Sequence, residues 1–134
     1  MYDGSAAASE AVVLQISAPH SDAEPSDTLD HLDIGPASAP GATNFDVAND
    51  AYSVSTYAAG LDDSGDAFRF TGTEAAGDAA IAVRVTQFTG SAPAGRAGVM
   101  MRGSRHPKSA VVAVTVSPPG DVVLSYRSDH GATI

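Results

Sequence analysis

Four arginines, Arg69, Arg84, Arg102 and Arg127, fall inside strand-like stretches of a chain that has 7 Lys+Arg against 16 Asp+Glu and a formal net charge of -9. A guanidinium carries five donors in a rigid fork. Arginines ranged along one sheet face would bind sugar hydroxyls or carboxylates through paired hydrogen bonds. The same residues also suit a cross-strand ladder with Asp or backbone carbonyls, or plain solvent exposure. Tyr126, with Tyr57, would give such a face a stacking surface, or would pack a sandwich edge. The candidate ligand-binding set is therefore Arg69, Arg84, Arg102, Tyr126 and Arg127.

A second group is the acidic run 62–66, in which Asp62, Ser64 and Asp66 alternate. Alternate spacing lets side-chain oxygens converge on Ca²⁺, which takes six to eight oxygen ligands. The run departs from the helix-loop-helix calcium site, with Ala67 in place of the turn glycine and Thr73 in place of the bidentate glutamate. Aspartates in β loops also cap turns, so calcium at Asp62, Ser64 and Asp66 stands beside simple turn chemistry.

Other chemistry is poorly supplied. The chain has no Cys and no Trp, which removes disulfides, thiol nucleophiles, zinc-thiolate sites and tryptophan sugar platforms. Retaining glycoside hydrolysis needs two carboxylates about 5–5.5 Å apart. The glutamates are Glu10, Glu24 and Glu74, and none lies two or four residues from another acid within a strand pattern. His20, His31, His106 and His130 suggest no nucleophile–base pair. No catalytic residue is assigned, and the chain reads as a non-enzyme.

The elements that must hold these residues are strands. Val12, Leu14 and Ile16 share one parity of a short run, the period-two signature of a half-buried strand, although the alanines of 5–15 leave a helix open there. Residues 19–30 hold two prolines and four acids with little to bury, as a linker would. Strand patterns then recur at 51–57, 67–70, 79–88, 97–102, 110–116 and 122–127, separated by Gly-, Pro- and Asp-containing turns. That rhythm, without a 3.6-residue period, predicts an all-β sandwich or barrel. Val99 and Met101 share a face opposite Met100 and Arg102; Val122, Leu124 and Tyr126 oppose Val123, Ser125 and Arg127. One of Met100 and Met101 should therefore face the core. The 110–116 run is apolar on both faces and should be central and covered on both sides. The acidic balance repels nucleic-acid phosphate. The longest apolar runs, 11–16 and 110–116, fall far short of the roughly 20 residues of a membrane span.

In order, Asp33-Ile34-Gly35, the Tyr52-Ser53-Val54-Ser55 strand, Gly60-Leu61-Asp62 with Asp66-Ala67-Phe68-Arg69-Phe70, the 77–85 segment, Ala97-Gly98-Val99-Met100-Met101-Arg102 and Ser125-Tyr126-Arg127 resemble a module of the concanavalin A-like lectin/glucanase superfamily. The similarity is to laminin G-like jelly-roll modules of bacterial secreted multi-modular proteins, and it covers about residues 31–134. Two departures stand out: the aromatic residues usual near the opening Asp-Ile-Gly are absent, and the closing strands of the family are missing. The resemblance implies an antiparallel jelly-roll-like β-sandwich, incomplete at the C-terminus. Residues 1–18 resemble the last hairpin of a preceding immunoglobulin-like or cadherin-like repeat, with 19–30 as an acidic linker. Both ends then read as cut from a longer polypeptide, which would account for the lack of a signal peptide. The implied role is a non-catalytic carbohydrate-binding or accessory module of a secreted or cell-surface protein, with glycan and neighbouring domains as partners. The alternative is a structural adhesion or spacer module without a small-molecule ligand.

Overall fold

Runs with β-branched and aromatic residues at alternate positions form strands, and every strand pairing is antiparallel. The computed structural model describes residues 10–16, 26–89, 95–118 and 120–134. The strands are β1 (Glu10–Ile16), β2 (Asp30–Ile34), β3 (Ala42–Asp46), β4 (Ala51–Thr56), β5 (Phe68–Gly72), β6 (Val83–Thr89), β7 (Ala97–Arg102), β8 (Val111–Val116) and β9 (Val122–Arg127). Among the described residues there is no helix, so the chain is all-β. The order β3-β4-β1-β6 makes one sheet, β2-β5 a two-stranded ribbon, and β7-β8-β9 a third sheet.

β7 and β9 keep the bounds their alternation predicts. β6 begins at Val83 rather than at residue 79, because its partner β1 ends there, with Ile16 opposite Val83. Ile81, left outside the ladder, is exposed. β2 and β3 were not expected as strands. β2 is rich in charge (Asp30, His31, Asp33), and only pairing with β5 makes it extended. β3 joins β4 through a turn in which the Asp46 carboxylate accepts from the Ala48 and Asn49 N–H groups at 3.0 and 3.3 Å. Asp50 closes that turn with φ +47°.

β1 lies between β4 and β6, with Val12 opposite both Val54 and Phe88. Residues 1–9 and 17–25 lie outside the described residues, and with them most of the expected 1–18 hairpin and residues 19–25 of the expected linker.

Among the described residues the buried apolar side chains are Ile34, Ala51, Tyr52, Ala67, Val111 and Ala113. Beside them lie Asp66, Ser109, Ser117 and Arg127, equally withdrawn from solvent. Charge, as much as apolar packing, occupies the interior. β8 is central in its sheet, but it is covered on one face only. Val111 and Ala113 are 4% and 1% exposed, whereas Val112 and Val114 are each 44% exposed. Alternation sends 112 and 114 to the face on which no described element packs.

Candidate functional site

The loop before β5 is shaped by its own backbone. Gly60 and Ala67 exchange both N–H···O bonds, at 2.7 and 2.8 Å. Asp62 accepts from the Ser64 N–H at 2.8 Å and from its hydroxyl. These bonds from Ser64 hold the Asp62 carboxyl below its usual range. The loop thereby presents Asp66 inward, its N–H donating to the Pro107 carbonyl at 2.9 Å. Gly35, at the end of β2 with φ +66°, permits this placement, since a Cβ there would fall on the Asp66 carbonyl oxygen.

Two arginines from the β7-β8-β9 sheet meet this carboxylate. Arg127 grips it bidentately, NH1 to Oδ2 at 3.0 Å and NH2 to Oδ1 at 2.8 Å. Its other N–H groups donate to the carbonyls of Ala132 (2.9 Å), Ser109 (3.0 Å) and Asp62 (3.0 Å). All five donors of this guanidinium are therefore engaged. Arg102 reaches Oδ2 at 3.3 Å, donates to the Ser104 and His106 carbonyls at 2.8 Å each, and lies 5.2 Å from the Phe68 ring centroid. The side chains are 0% (Asp66), 0% (Arg127) and 4% (Arg102) exposed.

One buried carboxylate thus serves two cations. The excess positive charge is met by five carbonyl oxygens and an aromatic face, which supply partial negative charge, and by the nearby Asp62 and Asp63 carboxylates, which act on Arg127 through space. The two arginines differ accordingly. The hydrogen bonds it donates to Asp66 push Arg127 above its ordinary value, whereas burial pulls Arg102 below its own. The cluster ties the 60–67 loop, the β7–β8 connection and the segment after β9 into one unit. Ile134 closes it, its N–H donating to Asp63 at 2.7 Å.

This geometry redirects both candidate sites read from the sequence. Asp62, Ser64 and Asp66 do gather in one loop, but Asp66 turns both oxygens to guanidinium groups and Asp62 caps Ser64. Among the described residues no group of three or more His, Asp or Glu side chains could hold a metal ion. Arg102 and Arg127 do share a face with each other, but that face is the inner one. The phase of alternation was right; the side facing water is the opposite one.

Arg69 has a different partner set. It sits in β5 opposite Asp33 of β2, with NH1 3.5 Å from the Asp33 carboxylate and Nε donating to Thr43 Oγ1 at 3.0 Å. Arg84 lies exposed on β6 of the four-stranded sheet, opposite Gln15, so the four arginines do not form one surface. Met101 faces outward and Met100 inward, where its sulfur accepts from Arg102. Tyr126 is 65% exposed and stands between two shallow grooves of about 560 and 520 Å³. The first is lined by Met101 and Val112, the second by Ser128, Thr133 and Leu124.

A polar relay that no motif announced joins β2, β3, β4 and β5. The Tyr52 hydroxyl donates to Asp27 at 3.1 Å, and His31 Nε2 lies 2.7 Å from the other Asp27 oxygen. His31 Nδ1 is 3.2 Å from Thr71 Oγ1, which is 3.1 Å from Thr43 Oγ1. An ionised Asp27 only accepts, so His31 Nε2–H donates to it, and with Nδ1 unprotonated that nitrogen accepts a hydrogen bond from the Thr71 hydroxyl. Thr43 then donates to Thr71, and Arg69 donates to Thr43. The His31 bond holds the Asp27 carboxyl below its usual range, and burial with the Asp27 contact pushes the Tyr52 phenol up to about 12. Apart from the local Asp27–His31 bond, the links join residues 25 to 40 positions apart in the chain, so the fold had to bring them together.

Comparison with known protein families, curated proteins and solved structures finds no match to this chain.

Proposed function

We propose that the chain is a non-catalytic accessory module of a secreted or cell-surface protein. In this reading it is an antiparallel, jelly-roll-like sandwich of the concanavalin A-like kind that acts as an adhesion or spacer element. The observation that carries the reading is the engagement of the strand arginines. Arg102 and Arg127 close on Asp66, and Arg69 closes on Asp33 and Thr43. Guanidinium groups so engaged hold the module's own loops and strands together. The acids are similarly engaged: Asp66 by two arginines, Asp33 by the Gly41 N–H and Arg69, Asp27 by His31 and Tyr52. No carboxylate pair among them is free to act as acid and nucleophile.

Glycan binding is the second reading, and Tyr126 favours it. An exposed phenol flanked by the hydroxyls of Ser128 and Thr133 combines a stacking ring with sugar-matching polar groups. A glycan array run with calcium and with chelator separates the two. The spacer reading predicts no saturable binding in either arm. Binding that is lost in Tyr126→Ala and kept in Arg84→Ala would replace it with the glycan reading.

A further inference from the structure

The outer face of the β7-β8-β9 sheet is apolar in every cross-strand row. Met101, Val112 and Tyr126 form one row, Val99, Val114 and Leu124 the next, and Ala97, Val116 and Val122 the third. None of these nine residues is charged, on a chain of net charge -9. Six of them are large and open to water: Met101 43%, Val112 44%, Val114 44%, Val122 70%, Leu124 64% and Tyr126 65% exposed. The other face of the same sheet is already covered, through Val111, Ala113 and Arg127. A sheet with one covered and one bare apolar face is half of a sandwich.

We propose that this face is a self-association surface, closed by the same face of a second copy of the chain. The exposed side chains amount to on the order of 600 Å², at the upper end of what a monomer leaves bare. With the half-exposed Val99, Val116 and Ala97 at the margin, the area approaches the roughly 800 Å² each partner contributes to a standard interface. A two-fold axis over β8 sets Val112 and Val114 of one copy across their counterparts, flanked by Leu124 and Met101. This is an isologous contact that needs no second kind of surface. The face carries no charge, while each molecule carries a large net negative one. Association therefore works against long-range repulsion, and salt should strengthen it. A contact made by charge pairing would weaken instead.

Sedimentation equilibrium on the whole 134-residue chain tests this, from about 1 μM to about 1 mM. The expected result is a mass rising from 13.5 kDa toward twice that value, with tighter association as NaCl rises from about 50 to 500 mM. Leu124→Lys and Val114→Lys should each weaken association by roughly 100-fold, and Leu124→Ala by about tenfold. Both positions point to solvent, so circular dichroism should show the monomer fold unchanged. Since the chain has no Cys, a spin label on Leu124→Cys should become immobilised as concentration rises, and one on exposed Ser53→Cys should not. A monomer at every concentration and salt overturns the proposal, and means that a different polypeptide covers the face. A dimer indifferent to lysine at 114 and 124 overturns it too, and points to pairing through strand edges.

Discussion

Replacing Asp66 by Asn should damage this protein more than any other single isosteric change. The substitution keeps side-chain volume but removes the carboxylate that hydrogen-bonds both Arg127 and Arg102, whose side chains are 0% and 4% exposed. One carboxamide edge becomes an N–H donor aimed at donors, so the bidentate grip at 2.8 and 3.0 Å cannot persist. Two buried guanidinium groups lose the carboxylate they share, and Arg127 keeps only the more distant charges of Asp62 and Asp63. Breaking a buried pair by removing one partner costs about 3–5 kcal/mol, about a fifth or more of the roughly 5–15 kcal/mol that holds a small domain folded. At about 3–5 °C per kcal/mol for a chain of this length, the thermal midpoint should fall by roughly 10–20 °C. Arg127→Met should cost a similar amount, since it strands Asp66 and orphans the Ala132, Ser109 and Asp62 carbonyls. Arg102→Met should cost less, under about 1.5 kcal/mol. Asp66 keeps its bidentate partner there, the net buried charge falls to zero, and the Ser104 and His106 carbonyls lie on exposed residues that water can reach. Urea and thermal unfolding by circular dichroism give the order. An Asp66→Asn midpoint within about 2 °C of the parent, or Arg102→Met as harmful as Arg127→Met, would refute the reasoning.

Three further outcomes follow from the same contacts. In an ultraviolet titration of the four tyrosines, Tyr52 should ionise near pH 12, and Asp27→Asn should bring it back toward the ordinary 10.0. Because its folded value is raised, its contribution to stability is complete below pH 10 and should disappear as pH rises from 10 to 12; Tyr52→Phe should lack that alkaline limb. On the acid side, Asp27, Asp46 and Asp62 are all lowered from 3.8. Their contribution is present above that value and should be lost as pH falls through their lower folded values, with His31→Ala flattening the Asp27 part of the curve. Gly35→Ala must hold φ +66° and place a Cβ on the Asp66 carbonyl oxygen. It should destabilise by at least 1–3 kcal/mol in denaturant unfolding, roughly the cost of a strained backbone position, and should lower the benefit of Asp66 in a double-mutant cycle.

Strand positions were largely legible because period-two alternation is a local property. The bounds of β7 and β9 follow from it, as does the grouping of Val122, Leu124 and Tyr126 against Arg127. Alternation assigns residues to two faces without saying which face is inward, and hydrophobicity gives the wrong answer here. The Val122, Leu124 and Tyr126 side is the open one, and the Arg127 side is closed, because Asp66 arrives from a loop 61 residues away to neutralise it. β2 and β3 were hidden for a related reason. Asp30, His31 and Asp33 look like linker chemistry until β5 sets Arg69 opposite Asp33 and Thr71 opposite His31.

By itself, the sequence determined an all-β chain, the phase of strands such as β7 and β9, and a composition without cysteine. These follow from residue type and spacing, which are local. Tertiary structure decided where the charges go. Whether an arginine on a strand meets a ligand or a buried carboxylate depends on a partner distant in the chain. The same holds for Asp62, Ser64 and Asp66, which lie together in sequence as a calcium site would. In the fold one of them turns inward to hold two arginines, and the other two close a turn.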